Sequence, residues 1–248
     1  MSPASTPILL VAGGSRGIGA ATAILAASRG YDVAVNYLRD NEAAERIAGK
    51  VRDAGRSAIT IQGDMAREDD VKRVFAAVDG QLGPLTHFVH SAGITGGEAR
   101  LDEVDPKVIR AVLDLNVFGA LLCLREAVRR MSLKHGGKGG SIVLLSSAAA
   151  TLGAPNEYVW YAASKGAIDS MTTGLAQEVA KEGVRVNAVA PGAIDTEIHS
   201  PGRLQRIAPR IPLGRVGTAE EVAEAILFLL SDGAAYITGT VLRVSGAR

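Results

Sequence analysis

The sequence predicts a doubly wound α/β fold, with one parallel sheet of about seven strands and helices on both faces. Three observations predict it. Short β-rich runs alternate with longer helical patterns along the whole chain. Most of the strand runs are continuously apolar, as strands covered on both faces require. A glycine-rich turn stands between the first strand and the first helix, where a parallel βα unit places a phosphate-binding loop.

The strand runs are residues 7–13, 32–37, 57–64, 86–93, 141–147, 184–192 and 240–246. Segments between them carry apolar residues three and four apart, as in Val108, Ile109, Val112 and Leu113, the stripe of a helix that faces a core. No Pro- or Ser-rich linker, long charge block or solenoid-spaced repeat interrupts the pattern, so residues 1–248 are expected to form one domain. Residues 193–212 break the rhythm with Pro201, Gly202, Pro209 and Pro212. An irregular segment of that length is expected to be a substrate loop or lid.

Hydrophobic residues make up 47% of the 248, enough for a sizeable core. The 27 Lys and Arg nearly balance the 26 Asp and Glu, which leaves no basic footprint for nucleic acid or an anionic membrane. The single cysteine, Cys123, lies in an apolar stretch and excludes an internal disulfide. His87, His90, His135 and His199 show no metal-ligand spacing, and no metal is expected. The N-terminal stretch MSPASTP lacks the basic-then-apolar pattern of a secretory signal. No apolar run approaches the ~20 residues of a membrane span. These features predict a cytoplasmic setting.

The glycine turn runs Gly13, Gly14, Ser15, Arg16, Gly17, Ile18, Gly19. Glycines allow a tight turn and close backbone approach to a pyrophosphate, and the helix that follows offers free N–H groups and the positive end of its dipole. The spacing of Gly13, Gly17 and Gly19 resembles the Thr-Gly-x-x-x-Gly-x-Gly motif of short-chain dehydrogenases, with Ala12 in the Thr place. At the end of the second strand, Tyr37 takes the place where an NAD site usually puts an acidic residue for the ribose hydroxyl. Nothing there repels a phosphate on that hydroxyl, and Arg16 and Arg39 are candidates to bind it, so NADP(H) is the expected cofactor. After the third strand, Asp64 and Met65 are placed to meet the adenine, although a helix N-cap accounts for Asp64 equally well. After the fourth, His90-Ser91-Ala92-Gly93 keeps small residues where a cofactor passes close to the backbone, and it resembles the family's Asn-Asn-Ala-Gly.

The chemistry-bearing signal is Tyr161-Ala162-Ala163-Ser164-Lys165, which opens a helical segment and puts Tyr161 and Lys165 on one face. A phenol ionises near pH 10, and an adjacent ammonium is expected to lower that value. Ser146 and Ser147 end the fifth strand, where open α/β sheets build ligand sites. Ser147 is the choice for holding a substrate oxygen, with Ser146 as the alternative. Asn116 interrupts an apolar helical stripe as either a core amide or a site residue.

Taken together, the turn, the Asn116 region, the Ser/Tyr/Lys set and Pro191-Gly192 occur in the order of the short-chain dehydrogenase/reductase family, and the resemblance spans nearly the whole chain. It implies that Asn116, Ser147, Tyr161 and Lys165 form a catalytic tetrad, with Tyr161 as acid/base, Ser147 orienting the substrate oxygen, Lys165 also holding the nicotinamide ribose and Asn116 supporting a water-linked proton relay. It implies further that Pro191, Gly192, Ile194 and Thr196 meet the nicotinamide end. The family's usual Ser-to-Tyr gap is one residue shorter, so a local bulge is expected at Ser147.

The pattern is closest to 3-oxoacyl-(acyl carrier protein) reductases and sugar or polyol dehydrogenases. The expected partner is a small carbonyl or alcohol substrate, an acyl thioester among the candidates. Tyr158 and Trp160 are either pocket walls or packing residues. Such proteins are commonly homotetramers, and apolar faces on the Asn116 and Tyr161 helices suit a dimer or tetramer. Two other readings stand: an NAD-dependent sugar or alcohol dehydrogenase, and a sensor that holds NADP(H) without turnover.

Overall fold

The computed structural model describes residues 6–248, so the first five residues of the stretch read for a secretory signal lie outside the described residues. Seven strands form one all-parallel sheet: β1 (Ile8–Ala12), β2 (Asp32–Tyr37), β3 (Ala58–Gln62), β4 (His87–His90), β5 (Gly140–Leu145), β6 (Val184–Pro191) and β7 (Val241–Val244). Their order is β3-β2-β1-β4-β5-β6-β7. The order reverses between β1 and β4, the kind of switch point where such sheets open a crevice at their carboxyl ends.

Alternation along each strand feeds two cores. Leu10 and Ala12 point to one face with Phe88, Ile142 and Leu144. Leu9 and Val11 point to the other with Val33, Val35 and Val89. The first face is covered by α3 (Glu68–Gln81), α5 (Ala120–Met131) and α7 (Val159–Val179). The second is covered by α1 (Gly17–Ser28), α2 (Asn41–Asp53) and α9 (Ala219–Leu230). Phe75 and Phe88 are fully buried in the first core with rings 5.3 Å apart; each contributes roughly 1.5–3 kcal/mol by leaving water.

Local signals set the helix ends. Asp40 caps α2 by accepting from the Ala43 N–H at 2.8 Å. Thr218 and Glu221 form a capping box on α9. The remaining helices are α4 (Pro106–Leu113), α6 (Ala149–Leu152) and α8 (Arg203–Ile207). Segment 193–212, expected to be irregular, contains α8 and a tight helical turn at Ala208–Arg210.

Asn116 departs from the expected regular helix. It lies in a π-helical turn, Asp114–Gly119, between α4 and α5. Wide turns of this type collect at functional sites. The turn ends where a β-carbon at Gly119 would lie 2.5 Å from the Met65 carbonyl oxygen, so the helix runs hard against the loop after β3.

Among the described residues no helix is long and apolar enough to cross a membrane.

Candidate active site

The chain leaves β1 and turns through Gly13, at φ 74°, and Gly17, at φ 52°, into α1. A β-carbon at Gly13 would lie 2.8 Å from the backbone of Ala92, and one at Gly19 would lie 2.2 Å from the Gly13 carbonyl oxygen. The turn is thus pressed against the Ser91-Ala92-Gly93 segment, which is tied to β1 by the Ser91 N–H donating to the Ala12 carbonyl at 2.9 Å. Arg16 at the start of α1 makes no side-chain cap, and the first turn holds no acidic residue. The leading N–H groups and the positive dipole end are therefore available to an anion. Ser15 is half-buried on this turn, and Ile18 packs back onto the apolar layer. This cradle fits a dinucleotide pyrophosphate.

Asn36 braces the cradle from behind. Its Oδ1 accepts from the Gly13 N–H at 3.2 Å, and its Nδ2 donates to the carbonyls of Ile61 and Gly63 at 3.2 and 3.1 Å. An amide in the apolar run of β2 was the signal for this role. Next to it, the Tyr37 hydroxyl donates to Asn41 Oδ1 at 2.7 Å. Arg16 and Arg39 are exposed and enter no ion pair among the described residues.

One expectation beyond β3 needs correction. Asp64 is not a helix N-cap: α3 begins four residues later with Arg67 at its N-cap, and the Asp64 carboxylate folds onto the Ala66 N–H at 2.9 Å. The Met65 side chain is buried in the core, with its sulfur 3.6 Å from Cys123 Sγ.

The four residues of the expected tetrad converge at the carboxyl ends of β4 and β5. Tyr161 and Lys165 lie one turn apart on α7, both buried, with the Lys165 Nζ 5.6 Å from the Tyr161 ring centre. Ser147, just past β5, stands beside the Tyr161 phenol. Asn116 Oδ1 accepts from the Ile94 N–H at 3.0 Å, while its Nδ2 donates to the Ile94 carbonyl and to Ser164 Oγ at 2.9 and 3.0 Å. A β-carbon at Gly93 would lie 3.3 Å from Asn116 Oδ1 and 3.6 Å from Lys165 Nζ, so that glycine leaves room where the two approach.

Ser146 turns away from this group. Its hydroxyl donates to Asp169 Oδ1 at 2.5 Å. The expected bulge at Ser147 is absent, because the Ser146 and Ala148 N–H groups continue the ladder to the Val189 and Pro191 carbonyls at 2.8 Å. Downstream, Gly153, Ala154 and Asn156 take positive φ values of 76°, 46° and 60° ahead of α7.

The expected lowering of the Tyr161 pKa is also corrected. Burial raises it, against the Ser147 hydroxyl and the Arg203 charge, which lower it. Lys165 is no counterweight here, since its Nζ donates to the Leu145 carbonyl at 2.6 Å and burial pushes it down to about 8, with Asp169 opposing. His90, in the place of the family's first Asn, is buried with neither ring nitrogen hydrogen-bonded among the described residues, and burial holds its pKa down at about 3.

The residues expected at the nicotinamide end follow β6. Pro191 ends β6, and the Gly192 N–H donates to the Val244 carbonyl at 2.9 Å. Ile194 is buried and bridges to Gly217. Thr196 lies over the glycine turn, its Cγ2 3.3 Å from where a β-carbon of Gly17 would be.

A family model described as enoyl-(acyl carrier protein) reductase matches residues 12–246. The chain belongs to the short-chain dehydrogenase/reductase family of oxidoreductases. It is 50% identical over 245 residues to the uncharacterized oxidoreductase YgfF of Escherichia coli, covering 97% of this chain and 99% of that one. A short-chain dehydrogenase from Burkholderia cenocepacia, solved in complex with NADP, superposes with a TM-score of 0.90 at 33% identity, covering 97% of each chain. A 3-ketoacyl-(acyl carrier protein) reductase from Brucella melitensis, solved with NADH, superposes with a TM-score of 0.91 at 31% identity, covering 98% of each. Membership of the family accounts for the sheet order and for the glycine cradle at its switch point.

Proposed function

We propose that this short-chain dehydrogenase/reductase is an NADP(H)-dependent enzyme that interconverts a small carbonyl compound and its secondary alcohol, with Tyr161 as general acid and base. The observation that carries the reading is the convergence of Tyr161, Lys165, Ser147 and Asn116 beside the glycine cradle.

Gly13, Ser15, Gly17, Ile18 and Gly19 would hold the pyrophosphate on backbone N–H groups. Ser91, Ala92 and Gly93 would line the cofactor's path, with Asp64 and the Met65 backbone at the adenine, and Pro191, Gly192, Ile194 and Thr196 would frame the nicotinamide. The bound cofactor supplies or accepts the hydride at its nicotinamide ring. In the reductive direction the Tyr161 hydroxyl gives its proton to the developing alkoxide, and Ser147 donates a hydrogen bond to the same oxygen. The Lys165 ammonium would bind the ribose hydroxyls, and the Ser147 hydroxyl and the Arg203 charge work against burial to favour the phenolate. Asn116 fixes the turn from which a water-linked relay returns the proton.

NADP(H) preference is supported by Tyr37 in place of a carboxylate and by exposed Arg16 and Arg39 with no acidic partner among the described residues. The lone buried Cys123 suits a reducing cytoplasm. Exposed Leu113, Phe118 and Leu121 flank the Asn116 turn and support a homotetramer or homodimer. Steady-state kinetics with NADPH and NADH over a panel of acyl thioesters, sugars and diketones tests the reading. Turnover with NADPH is expected; a clear preference for NADH contradicts the cofactor assignment, and no turnover with either contradicts the enzyme.

A further inference from the structure

Arg203 stands at the edge of this site, where its charge lowers the Tyr161 pKa against burial but its side chain is given no contact with substrate or cofactor. It opens α8 in the segment after Gly192, and it is only 9% exposed, an unusual burial for an arginine. Its Nη2 donates to Glu157 Oε2 at 2.8 Å, and its Nη1 lies 3.0 Å from His199 Nδ1. The guanidinium carbon sits 5.2 Å from the centre of the Tyr158 ring. Tyr158 in turn packs edge-on against Tyr161, ring centres 5.2 Å apart. Arg203 is therefore one aromatic ring from the proposed acid. Its Nε–H is buried and has no partner among the described residues. A buried, unpaired donor on a charged group is costly unless a ligand satisfies it.

The chemistry of the pair narrows the ligand. Arg203 and Glu157 cancel in charge and leave a donor and an acceptor side by side. A hydroxyl fits both, giving its proton to Glu157 and accepting from Arg203 Nε. A carboxylate would face the negative charge of Glu157, and an alkyl chain would leave the Nε–H unpaired. The neighbouring apolar cluster is packed on itself: the Trp160 Nε1 donates to the Thr95 carbonyl at 2.8 Å, and a β-carbon at Gly96 would lie 2.5 Å from Val108 and 3.0 Å from Val112. Trp160 is thereby a packing residue, and Tyr158 is the wall between Arg203 and Tyr161.

We infer, resting on the reductase reading above, that Arg203 and Glu157 form the substrate-reading end of the site and select a compact, uncharged carbonyl compound carrying a hydroxyl group. Arg203 acts as a specificity residue and Glu157 as its partner.

The test compares hydroxyacetone, butanone and acetoacetate as substrates for the wild type, Arg203→Met and Arg203→Lys. Arg203→Lys keeps a cation for Glu157 and lacks the Nε–H, so it separates substrate reading from holding α8 in place. The wild type is expected to favour hydroxyacetone over butanone by about tenfold in kcat/KM and both variants to lose that preference, with butanone changed less than about twofold in Arg203→Lys, which keeps the charge that acts on Tyr161. Equal losses on all three substrates, or full rescue by Arg203→Lys, would assign Arg203 to holding the loop and overturn the inference. A wild-type preference for acetoacetate would overturn it in favour of an anion site. Calorimetric titration of the three compounds into wild-type protein with NADP+ separates this inference from the reading it rests on. Hydroxyl-selective binding without turnover upholds the inference and contradicts the reductase; turnover without selectivity does the reverse; neither binding nor turnover overturns both.

Discussion

Around residues 13–19, the groups proposed to meet a ligand belong to the backbone, whereas around Arg203 they are side chains brought together from positions 46 residues apart. The first half is held by contacts that leave no room for a β-carbon: Gly19 against the Gly13 carbonyl, Gly13 against Ala92. The second is held by an ion pair, a stacked ring and a short helix in a segment between two irregular stretches. A backbone cradle recognises what all its ligands share, a phosphate. A side-chain cluster can be exchanged residue by residue, and that is where one member of a family can differ from another in substrate.

The comparison is broken most severely at Gly19. Gly19→Val places a branched side chain where even a β-carbon lies 2.2 Å from the Gly13 oxygen. It is expected to abolish dinucleotide binding and to cost on the order of 3 kcal/mol of stability. NADPH fluorescence titration with a denaturant melt checks both, and wild-type affinity would show that the cradle is not what holds the cofactor. A smaller effect sharpens the comparison, because Arg16 and Arg39 are exposed charged side chains beside the backbone half. Replacing both with Ser is expected to raise the KM for NADPH about tenfold and leave that for NADH unchanged. An equal effect on both cofactors would move these arginines to a general electrostatic role.

The smallest effect lies in β4, which begins at His87 and ends at His90. His90 and His87 are held neutral by burial, with pKa values of about 3 and about 4 against 6.5 for a free histidine. The unfolded chain takes up those protons as pH falls below 6.5 and the folded chain does not. Stability is therefore complete above that pH and is lost as pH falls towards the folded values. His90→Asn is expected to reduce this slope by about 1 kcal/mol per pH unit between about pH 6 and 5. An unchanged slope in urea melts would mean that His90 is not the buried base described.

The backbone half was legible in the sequence because its demands are local. A tight turn between a strand and a helix needs glycine at fixed spacing, and Gly13, Gly17 and Gly19 state that within seven consecutive positions. Tyr161 and Lys165 were legible for a similar reason, since one helical turn relates them. What was not legible depends on packing between distant segments. Asn36 and Asn116 show in the sequence only as amides within apolar runs, which does not tell what they hold, and the pairing of Arg203 with Glu157 leaves no mark at any one place in the chain. The direction of the Tyr161 pKa was misjudged on the same ground. Spacing showed the ammonium, but burial and the Leu145 carbonyl that engages it belong to the folded molecule.

The central claim is that the Tyr161 hydroxyl carries the substrate proton at a site that otherwise binds its ligands unaided. The most direct measurement is single-turnover reduction by Tyr161→Phe alongside its NADPH dissociation constant. Turnover is expected to fall by roughly a hundredfold or more with cofactor affinity unchanged. Turnover within about twofold of the wild type would contradict the account.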